Sequence, residues 1–410
     1  LVRKDVSDPD KGIGHTRTRN ITNFLQERLP KKLFDNLTRA GRIADQLGFE
    51  SYVVGGFVRD LFLFRANEDI DLVIEGDGIV FAKALAAKSG ARVHSHTKFG
   101  TAVIIFKDDF KIDVASARLE YYKYPAALPD VEMSSIKLDL FRRDFTVNTL
   151  AIHLNPAKFG RLIDFFSAQK DIKDRAIRVL HNLSFVEDPT RVFRAIRFEQ
   201  RFGFSIGKLT SSLIDNAVKM DFFKRLSGRR VFAEIKQILQ EENPAAAIAR
   251  MQDYDLLKVI HPSIVLDKGL KDRLNGAKSV IAWHDLLFTE EPYARWLIYF
   301  MVLIHPCDLE TSIAICKKLE LPQQTLRILC HERLNAQQRV GNMEQRLPQT
   351  ARDLYHLLDE FEHELILYMM TITRQKDVKK AISTYYNQLR NISPIITGND
   401  LKTLGPGLIP

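Results

Sequence analysis

The stretch VVGGFVRDLFLFRANEDIDLVI, residues 53–74, decides how the first part of the chain folds. A β-branched run ends in two glycines, a short helical pattern follows, and Asp69 and Asp71 then precede a second apolar run. Because side chains two residues apart in a strand point to the same face, both carboxylates are predicted to project together while Ile70 points into the core. Two such carboxylates repel each other unless a cation lies between them. The stretch therefore predicts a cation site at a buried strand.

The regions around this stretch alternate between helical and strand-like patterns. LFDNLTRAGRIADQLG and GIVFAKALAAKSG carry helical spacing, whereas TAVIIF and KIDVASA are predicted to be paired strands joined by the turn KDDF. Farther along the chain the helical spacing dominates. We predict an α+β fold in which a mixed α/β head precedes an all-α neck, body and tail. The predicted domains are a remnant of an upstream module (1–30), the head (31–160), the neck (161–240), the body (241–390) and the start of a tail (391–410).

The composition excludes several classes of protein. A chain of 410 residues is long enough for two to four domains. Its three cysteines do not make a disulfide framework, and none forms a CxxC pair, so a reducing, cytoplasmic compartment is expected. No apolar run is long enough to predict a membrane span. The net charge of +9 favours a polyanionic partner such as nucleic acid, although a basic balance also serves solubility alone.

A third acid and the two glycines complete the predicted site. Asp113 lies in KIDVASAR and alternates with apolar residues on what should be a neighbouring strand. Three acids from adjacent strands can hold two Mg²⁺ ions roughly 3.5–4 Å apart, an arrangement that stabilises the attacking and leaving oxygens in phosphoryl transfer. Gly55 and Gly56 let the backbone approach a phosphate, and Arg59, one turn into the helix, is placed to reach a triphosphate. The glycine pair alone would indicate only a tight turn, but the order of these features favours a functional site.

A second motif, RRDFTVNTLAI, carries side chains suited to a nucleotide. Arg142 and Arg143 offer guanidinium groups for phosphate or ribose oxygens, and Asp144 and Asn148 can hold sugar hydroxyls. One of the two arginines is expected to pair with Asp144. Arg143 is the stronger candidate for the nucleotide.

A third motif, EDPTRVFRAIRF, predicts a basic helix face. Asp188 followed by a proline is typical of a helix start. Arg191 and Arg194 follow at intervals of three, so they cluster on one face, and Arg197 extends that row less closely. The alternative is a basic face that meets only solvent.

Together these motifs resemble those of a known family. GGFVRD with EDIDLVI, RRDFTVNTLAI and EDPTRVFRAIRF are similar to motifs of class II tRNA nucleotidyltransferases and bacterial poly(A) polymerases, members of the polymerase-beta-like nucleotidyltransferase superfamily. The resemblance is dense over residues 50–240, and Thr149 stands where alanine or serine is usual. It implies a two-metal nucleotidyl transfer, with Asp69 and Asp71 as Mg²⁺ ligands and Asp113 helping to activate the RNA 3′-hydroxyl.

The resemblance also implies that the helix with Asp188 and Arg191 is a protein template for the incoming base. A carboxylate beside a guanidinium matches the donor and acceptor edges of cytosine and of adenine. Guanine and uracil would leave a buried carboxylate facing a carbonyl oxygen, which is costly. Such a template accepts C or A, and it does not separate a CCA-adding enzyme from one that adds only A.

Three further arginines are predicted to contact RNA. Arg118 lies in ARLEYYKYPAALPDVEMSSIKLDLF, which resembles the family's flexible loop. Arg229 and Arg230 lie in LSGRRVFAEIKQIL, which resembles the neck motif that supports the primer end, although plain surface charge is an equal alternative for them. LVRKDVSDPDKGIGHTRTRN resembles the end of a CBS-type module, as found in long bacterial members with DHH and CBS domains that lean towards adding only the final A.

The leading hypothesis is an enzyme that adds the 3′-terminal AMP to tRNA from ATP, with Mg²⁺ and with release of pyrophosphate. Full CCA addition from CTP and ATP, and poly(A) tailing, are close alternatives. A catalytically silent RNA-binding protein is an alternative of another class. The expected partner is the acceptor and T-arm end of tRNA, and no protein partner is predicted.

Overall fold

The structure is a computed structural model that describes residues 19–392 except 123, 125, 128, 289 and 290. The chain divides into two compact units, Leu1–Leu226 and Ser227–Pro410. The division falls inside the predicted neck, and the domain boundaries predicted at residues 160 and 240 stay predictions. The proposed CBS remnant up to residue 18 and the tail beyond residue 392 lie outside the described residues.

The first unit is mixed α/β. Its strands are β1 (Glu50–Val54), β2 (Ile70–Glu75), β3 (Arg92–His96), β4 (Thr101–Ile105), β5 (Lys111–Ser116), β6 (Arg118–Tyr121), β7 (Asp130–Met133), β8 (Ala151–His153), β9 (Leu162–Ile163), β10 (Ala176–Ile177) and β11 (Ser205–Ile206). Its helices are α1 (Thr22–Arg28), α2 (Lys31–Gln46), α3 (Gly56–Phe62), α4 (Gly78–Ser89), α5 (Ile136–Phe141), α6 (Ala168–Lys173), α7 (Ser184–Glu187), α8 (Thr190–Phe202) and α9 (Lys208–Lys219).

A seven-stranded sheet in the order β3-β4-β5-β2-β1-β8-β9 is the frame of this unit. β2 pairs with β5 in parallel, and the other neighbours are antiparallel. The predicted pairing of TAVIIF and KIDVASA is confirmed by the antiparallel register of β4 and β5. The parallel pair is the important one for the site, because it joins the two segments that carry the acids.

The alternation of β2 explains which face is buried. Ile70 and Leu72 are almost fully buried and join the main core with residues of α2 and α4, as the sequence predicts. Helix α4 begins where the Asp77 carboxylate accepts from two backbone N–H groups of the first turn, and it ends at Gly90 in the left-handed conformation. Helices α2 and α4 thus cover one face of the sheet, and the acids lie on the other, where α5 packs beside them against Val54 and Val73.

Residues 19–30 belong to the head core, although the predicted scheme assigned them to a preceding module. Leu25 of α1 is fully buried in the same cluster as Leu37 and Val53. The short strands β9, β10 and β11 are also additions to the predicted all-α neck. Each has only two residues, which is too short for a periodic pattern to be visible.

The second unit is helical throughout its described residues. Helices α14 and α19 are apolar on nearly all sides and lie buried beside α13, as expected for helices without a polar face. Two π-helical segments follow α16 and α20, at Ile328–Glu332 and Tyr385–Leu389. The helices are α10 (Gly228–Gln240), α11 (Pro244–Asp253), α12 (Leu257–Ile260), α13 (Lys268–Asp285), α14 (Arg295–Leu303), α15 (Leu309–Lys318), α16 (Gln323–Arg327), α17 (Arg333–Gln345), α18 (Ala351–Leu358), α19 (His363–Ile372) and α20 (Lys376–Thr384).

Helix length and polarity bear on the membrane prediction. Within the part of the chain that the structure describes, no helix combines the length and the apolar composition that a membrane crossing requires.

Candidate active site

The sheet brings the predicted acids together. Asp71 on β2 and Asp113 on β5 are directly opposite each other in the parallel register, so they share one face. Asp69 comes one residue before β2 begins, and its backbone N–H donates to Oδ1 of Asn67 at 2.8 Å. The prediction that Asp113 lies on a strand next to that of Asp71 is confirmed.

Two of the three carboxylates, those of Asp71 and Asp113, have a raised pKa. Burial, followed by the charges of Asp69, Asp113 and Asp139, raises the pKa of Asp71 to about 6, although the nearby Arg143 guanidinium acts in the opposite direction. Burial and the charge of Asp69 likewise raise the pKa of Asp113. The carboxylates therefore lack enough positive charge from the protein itself. This is the electrostatic signature of a cation site.

Gly55 separates β1 from α3 and lies beside both Asp71 and Arg143. Its φ of +72° is in the left-handed region, which favours glycine. A Cβ atom at this position would lie 2.6 Å from Nη1 of Arg143 and 3.8 Å from Oδ2 of Asp71. The glycine thus leaves space between the Arg143 guanidinium and the Asp71 carboxylate. Gly56, the first residue of α3, lies immediately next to this space.

Arg142 and Arg143 are both held by Asp139, a residue that the sequence analysis missed. Arg142 donates to Oδ1 of Asp139 at 2.7 Å, and Arg143 donates to its Oδ2 at 3.2 Å. The expectation that one of these arginines pairs with Asp144 is therefore wrong. The signal was the spacing in DLFRR, because residues three and four apart lie on the same face of α5 and the turn that follows it.

One hydrogen-bond donor of Arg143 is unpaired among the described residues. Its Nε atom is buried and has no hydrogen-bond partner among the described residues. A buried donor without a partner is costly unless a ligand supplies one. Its assignment to the nucleotide stays a prediction, and this donor supports it.

A paired network lies next to the acids. Arg194 donates through Nε to Oδ2 of Asp144 at 2.8 Å, and Nδ2 of Asn148 donates to Oδ1 of Asp144 at 2.8 Å. Arg59 in turn donates to Oδ1 of Asn148 at 2.5 Å and to the carboxylate of Asp60. Burial raises the pKa of Asp144, but Arg194 and the hydrogen bonds outweigh it and lower the pKa to about 2.

Through these contacts, four of the predicted nucleotide-binding residues also connect two helices. Arg59 and Arg194, with Asp144 and Asn148 between them, join α3 to helix α8. The Arg59 guanidinium also lies 4.4 Å from the ring centre of Phe202, the last residue of α8. Their contacts with a triphosphate or a sugar stay predictions.

The base-template residues lie at the start of α8. Arg191 is buried and donates to Oγ of Ser184 at 2.8 Å and to the Arg142 carbonyl at 2.9 Å. Asp188 accepts from the backbone N–H of Thr190, the first residue of α8, at 3.0 Å, but the N-cap position itself is occupied by Pro189. Ser184 is the second residue that the sequence analysis missed, and no pattern in the sequence indicates it.

The remaining predicted residues occupy different environments. Arg197 is buried on α8, with its guanidinium 5.0 Å from the ring centre of Phe198. Arg118 pairs with Glu120 at 3.2 Å, within a hairpin of β6 and β7 that the prediction treated as a loop. Arg229 and Arg230 lie in the first turn of α10 in the second unit, where Arg229 is largely exposed. Their RNA contacts stay predictions.

The acids fit a divalent cation that is completed by a substrate. Among the described residues, no three His, Cys, Asp or Glu side chains form a closed metal cage. Mg²⁺ is usually held by only one or two carboxylates together with substrate phosphates and water. Asp69 and Asp71, with raised carboxylate pKa at Asp71 and a neighbouring gap at Gly55, match that donor set.

Comparison with protein-family models locates the same regions. A model described as "Poly A polymerase head domain" matches residues 51–178, which include all three acids. A second, described as "Probable RNA and SrmB- binding site of polymerase A", matches residues 203–266.

Comparison with individual proteins decides the family. A curated protein from Halalkalibacterium halodurans named A-adding tRNA nucleotidyltransferase is 30% identical over 394 residues, which are 94% of this chain and 87% of that protein. The chain belongs to the family of tRNA nucleotidyltransferases and poly(A) polymerases. A tRNA nucleotidyltransferase from Geobacter sulfurreducens, also named A-adding, is 47% identical over 95% of this chain.

The length of one relative and the fold of a solved structure add to this comparison. The chain spans only 45% of the length of the Geobacter tRNA nucleotidyltransferase, so that relative contains much more than this chain. A solved structure titled "The structure of CCA-adding enzyme apo form II" is 36% identical, with a TM-score of 0.80, and the match covers 96% of this chain and 92% of the other. The α+β head with a helical remainder, predicted from the sequence, is therefore the fold of this family.

Proposed function

We propose that this chain transfers AMP from ATP to the 3′ end of tRNA. The observation that carries the proposal is the parallel register of Asp71 and Asp113, with Arg143 beside Asp71 across the space left by Gly55. This arrangement can hold a triphosphate on one side of the acids and a hydroxyl on the other. The A-adding name of relatives that match most of this chain favours AMP as the transferred group.

In the proposed reaction the 3′-hydroxyl oxygen of the RNA attacks the α-phosphorus of ATP. The bond between the α-phosphorus and the bridging oxygen breaks, and pyrophosphate leaves. Asp113 accepts the hydroxyl proton, since its raised pKa makes it a stronger base than an ordinary aspartate. Arg143 binds the triphosphate through its unused donor and fixes it beside Asp71.

A divalent cation suits this site. Asp69 and Asp71 would hold Mg²⁺, and Asp113 would remain the base for the hydroxyl proton. When bound, Mg²⁺ supplies positive charge to the phosphate oxygens and to the attacking oxygen.

Base selection is assigned to Asp188 and Arg191. Their carboxylate and guanidinium match adenine and cytosine and reject guanine and uracil. Ser184 and the Arg142 carbonyl hold Arg191 in place for this task. We also propose a cytoplasmic site of action, because all three cysteines are free and buried, as suits a reducing compartment.

Extension of tRNA transcripts tests the proposal. Transcripts that end before CCA, after C and after CC are incubated with each labelled nucleotide and Mg²⁺. We expect A to be added to the CC-ended transcript only. Incorporation of C on shorter transcripts would indicate full CCA addition, and long A tracts would indicate poly(A) tailing. Comparable incorporation of G would contradict the template.

Substitution of Asp71 separates an enzyme from a silent RNA-binding protein. Loss of several kcal/mol of transition-state stabilisation predicts that Asp71→Ala lowers kcat/KM by about 10³-fold or more. Asp35→Ala, at an exposed position on α2, is the control and should leave the rate unchanged. If Asp71→Ala extends tRNA at the normal rate, the catalytic assignment is wrong.

A further inference from the structure

The face of the sheet that carries the acids continues from them to the free edge at β3. Strand register places Asp71, Asp113, Val103 and His94 in one row across β2, β5, β4 and β3. Residues in such a row point to the same face. With adjacent strands about 4.8 Å apart, His94 lies roughly 14 Å from Asp71 on the acid face. The edge strand β3 is therefore part of the same surface as the acids.

The two sides of the acids differ. On the β1 side lie Gly55 and Arg143, which leave the space and the donor for a triphosphate. On the β5 side lies Asp113, and beyond it only β4 and β3 follow before the sheet ends. A transfer between two substrates needs one on each side of the acids. If the nucleotide lies towards β1, the RNA end lies towards β3.

The edge has the charge that RNA requires. From Gly90 to Lys107 the sequence contains no Asp or Glu. Arg92, His94 and His96 of β3 lie exposed on the acid face, and Lys98 follows in the short 3₁₀ turn to β4. Arg92 and Lys98 therefore offer positive charge to a phosphate backbone, and the two histidine rings add N–H donors.

An aromatic ring accompanies these cations. The Phe99 side chain is 46% exposed, which is unusual for a ring next to a well-packed sheet. Nζ of Lys98 lies 5.6 Å from the centre of that ring, and the Phe99 carbonyl accepts from Nη1 of Arg118 at 3.1 Å. Exposed rings interleaved with cations are the usual means of binding single-stranded nucleic acid.

We propose that the face of β3 with Lys98 and Phe99, here called the edge surface, binds the single-stranded 3′ end of the RNA and guides it to Asp113. The inference rests on the proposed function, because it takes RNA as the second substrate. Arg92 and Lys98 contact phosphates, and the Phe99 ring stacks on a base. The competing explanation is that the charges merely protect an exposed sheet edge from pairing with other chains.

The first experiment compares two double variants of the full chain. Arg92→Ala/Lys98→Ala removes two positive charges from the edge surface. Lys83→Ala/Lys88→Ala removes the same charge from exposed positions on α4, which covers the opposite face of the sheet. Binding of a labelled tRNA minihelix with a single-stranded CC end is measured by fluorescence anisotropy over a range of salt concentrations, without ATP.

The edge variant should weaken binding of this RNA about tenfold at 0.1 M salt, and the slope of log K against log salt should fall by about 1.4, as two single-strand phosphate contacts predict. The α4 variant should match the unaltered chain, and the KM for ATP should stay within twofold in both. Equal binding by the two double variants would overturn the inference and favour protection of the edge.

Phe99 provides a second, uncharged test. Phe99→Ala should weaken binding of the CC-ended minihelix about tenfold through lost stacking, while Phe99→Trp should bind it normally. A minihelix trimmed to a blunt end should bind all three proteins equally. An equal loss for both RNAs, or no loss with Phe99→Ala, contradicts the stacking assignment.

Failure of the inference and failure of the proposed function give different results. If no AMP is transferred but RNA binding depends on Arg92 and Lys98, the edge surface stands and the proposed reaction is wrong. If the edge variant transfers AMP at the normal rate and binds the RNA with normal affinity, the proposed reaction stands and the assignment of the edge surface to RNA is wrong.

Discussion

Two aspartates of the first unit, the half-buried Asp71 and the buried Asp144, have opposite electrostatics. Asp71 faces other carboxylates, and burial together with their charges raises its pKa to about 6. Asp144 accepts hydrogen bonds from Arg194, from Asn148 and from the backbone of Phe145, and these outweigh its burial and lower its pKa to about 2. The same side chain is therefore left short of positive charge at one position and fully satisfied at the other.

The difference shows what each region does. The protein supplies every partner that Asp144 needs, so that carboxylate stabilises the fold by joining the head to α8. At Asp71 the charges of neighbouring carboxylates raise the pKa, and the proposed cation and nucleotide would offset this cost. Changing each aspartate to asparagine, which removes the charge and keeps the shape, should therefore have opposite effects on stability.

The largest effect is expected from Asp144→Asn. Removing the carboxylate leaves the Arg194 guanidinium without its buried partner, and the free energy of unfolding should fall by about 3 kcal/mol at pH 7. Because the pKa of Asp144 is lowered on folding, its contribution is complete above about pH 4 and is lost as the pH falls towards 2. Urea denaturation at pH 7 and at acid pH measures both.

Arg194→Ala provides the cross-check, since it removes the other partner of the same ion pair. The double variant should be destabilised by clearly less than the sum of the two single changes. Additive losses of unfolding free energy would contradict the pairing of Asp144 with Arg194. An Asp144→Asn protein as stable as the unaltered chain would show that the Asp144 carboxylate does not stabilise the fold.

A smaller effect of opposite sign is expected from Asp71→Asn. The folded pKa of Asp71 is raised, so the ionised carboxylate destabilises the fold above about pH 6, and this cost is relieved as the pH falls towards 4. In metal-free buffer at about pH 7.5, the free energy of unfolding of the variant should be higher than that of the unaltered chain by about 1 to 2 kcal/mol. Added Mg²⁺ should raise the Tm of the unaltered chain more than that of the variant.

The contrast between the two aspartates would be wrong if Asp71→Asn destabilised the chain as Asp144→Asn does. That result would mean that Asp71 is satisfied by the protein and is not a cation ligand. Equal Tm shifts with Mg²⁺ in both proteins would lead to the same conclusion.

The smallest effect concerns the pH dependence of the reaction. Arg143 lowers the pKa of Asp71, so Arg143→Ala should raise that pKa and move the acid limb of the kcat/KM profile upward by about one unit. Arg142→Ala is the matched control, because Arg142 pairs with Asp139 and Glu120. Its acid limb should stay in place. A limb that moves equally in both variants would indicate a general disturbance of α5.

Part of the site could be predicted because its signals are local. The alternation around Asp71 and Asp113 is visible within a few residues, and it correctly indicated strands with these two acids on one face. The basic face of the helix with Arg191 and Arg194 is also a local pattern. Side-chain direction in strands and helices follows from backbone geometry alone, so such features are legible in the sequence.

The partners of the buried charges could not be predicted in this way. Arg194 is 50 residues from Asp144, and only the packing of α8 against the head brings them together, so the expected pairing with Arg142 or Arg143 was wrong. The hydrogen bonds of Arg191 to Ser184 and to the Arg142 carbonyl have the same origin.

By itself the sequence determined the residue types, the strand and helix periods and the order of the motifs, because these depend on neighbours along the chain. Only the tertiary structure decided which carboxylates are neutralised. It did so through the parallel pairing of β2 with β5 and the position of α8, since the strength of a charge interaction depends on distance and burial in three dimensions.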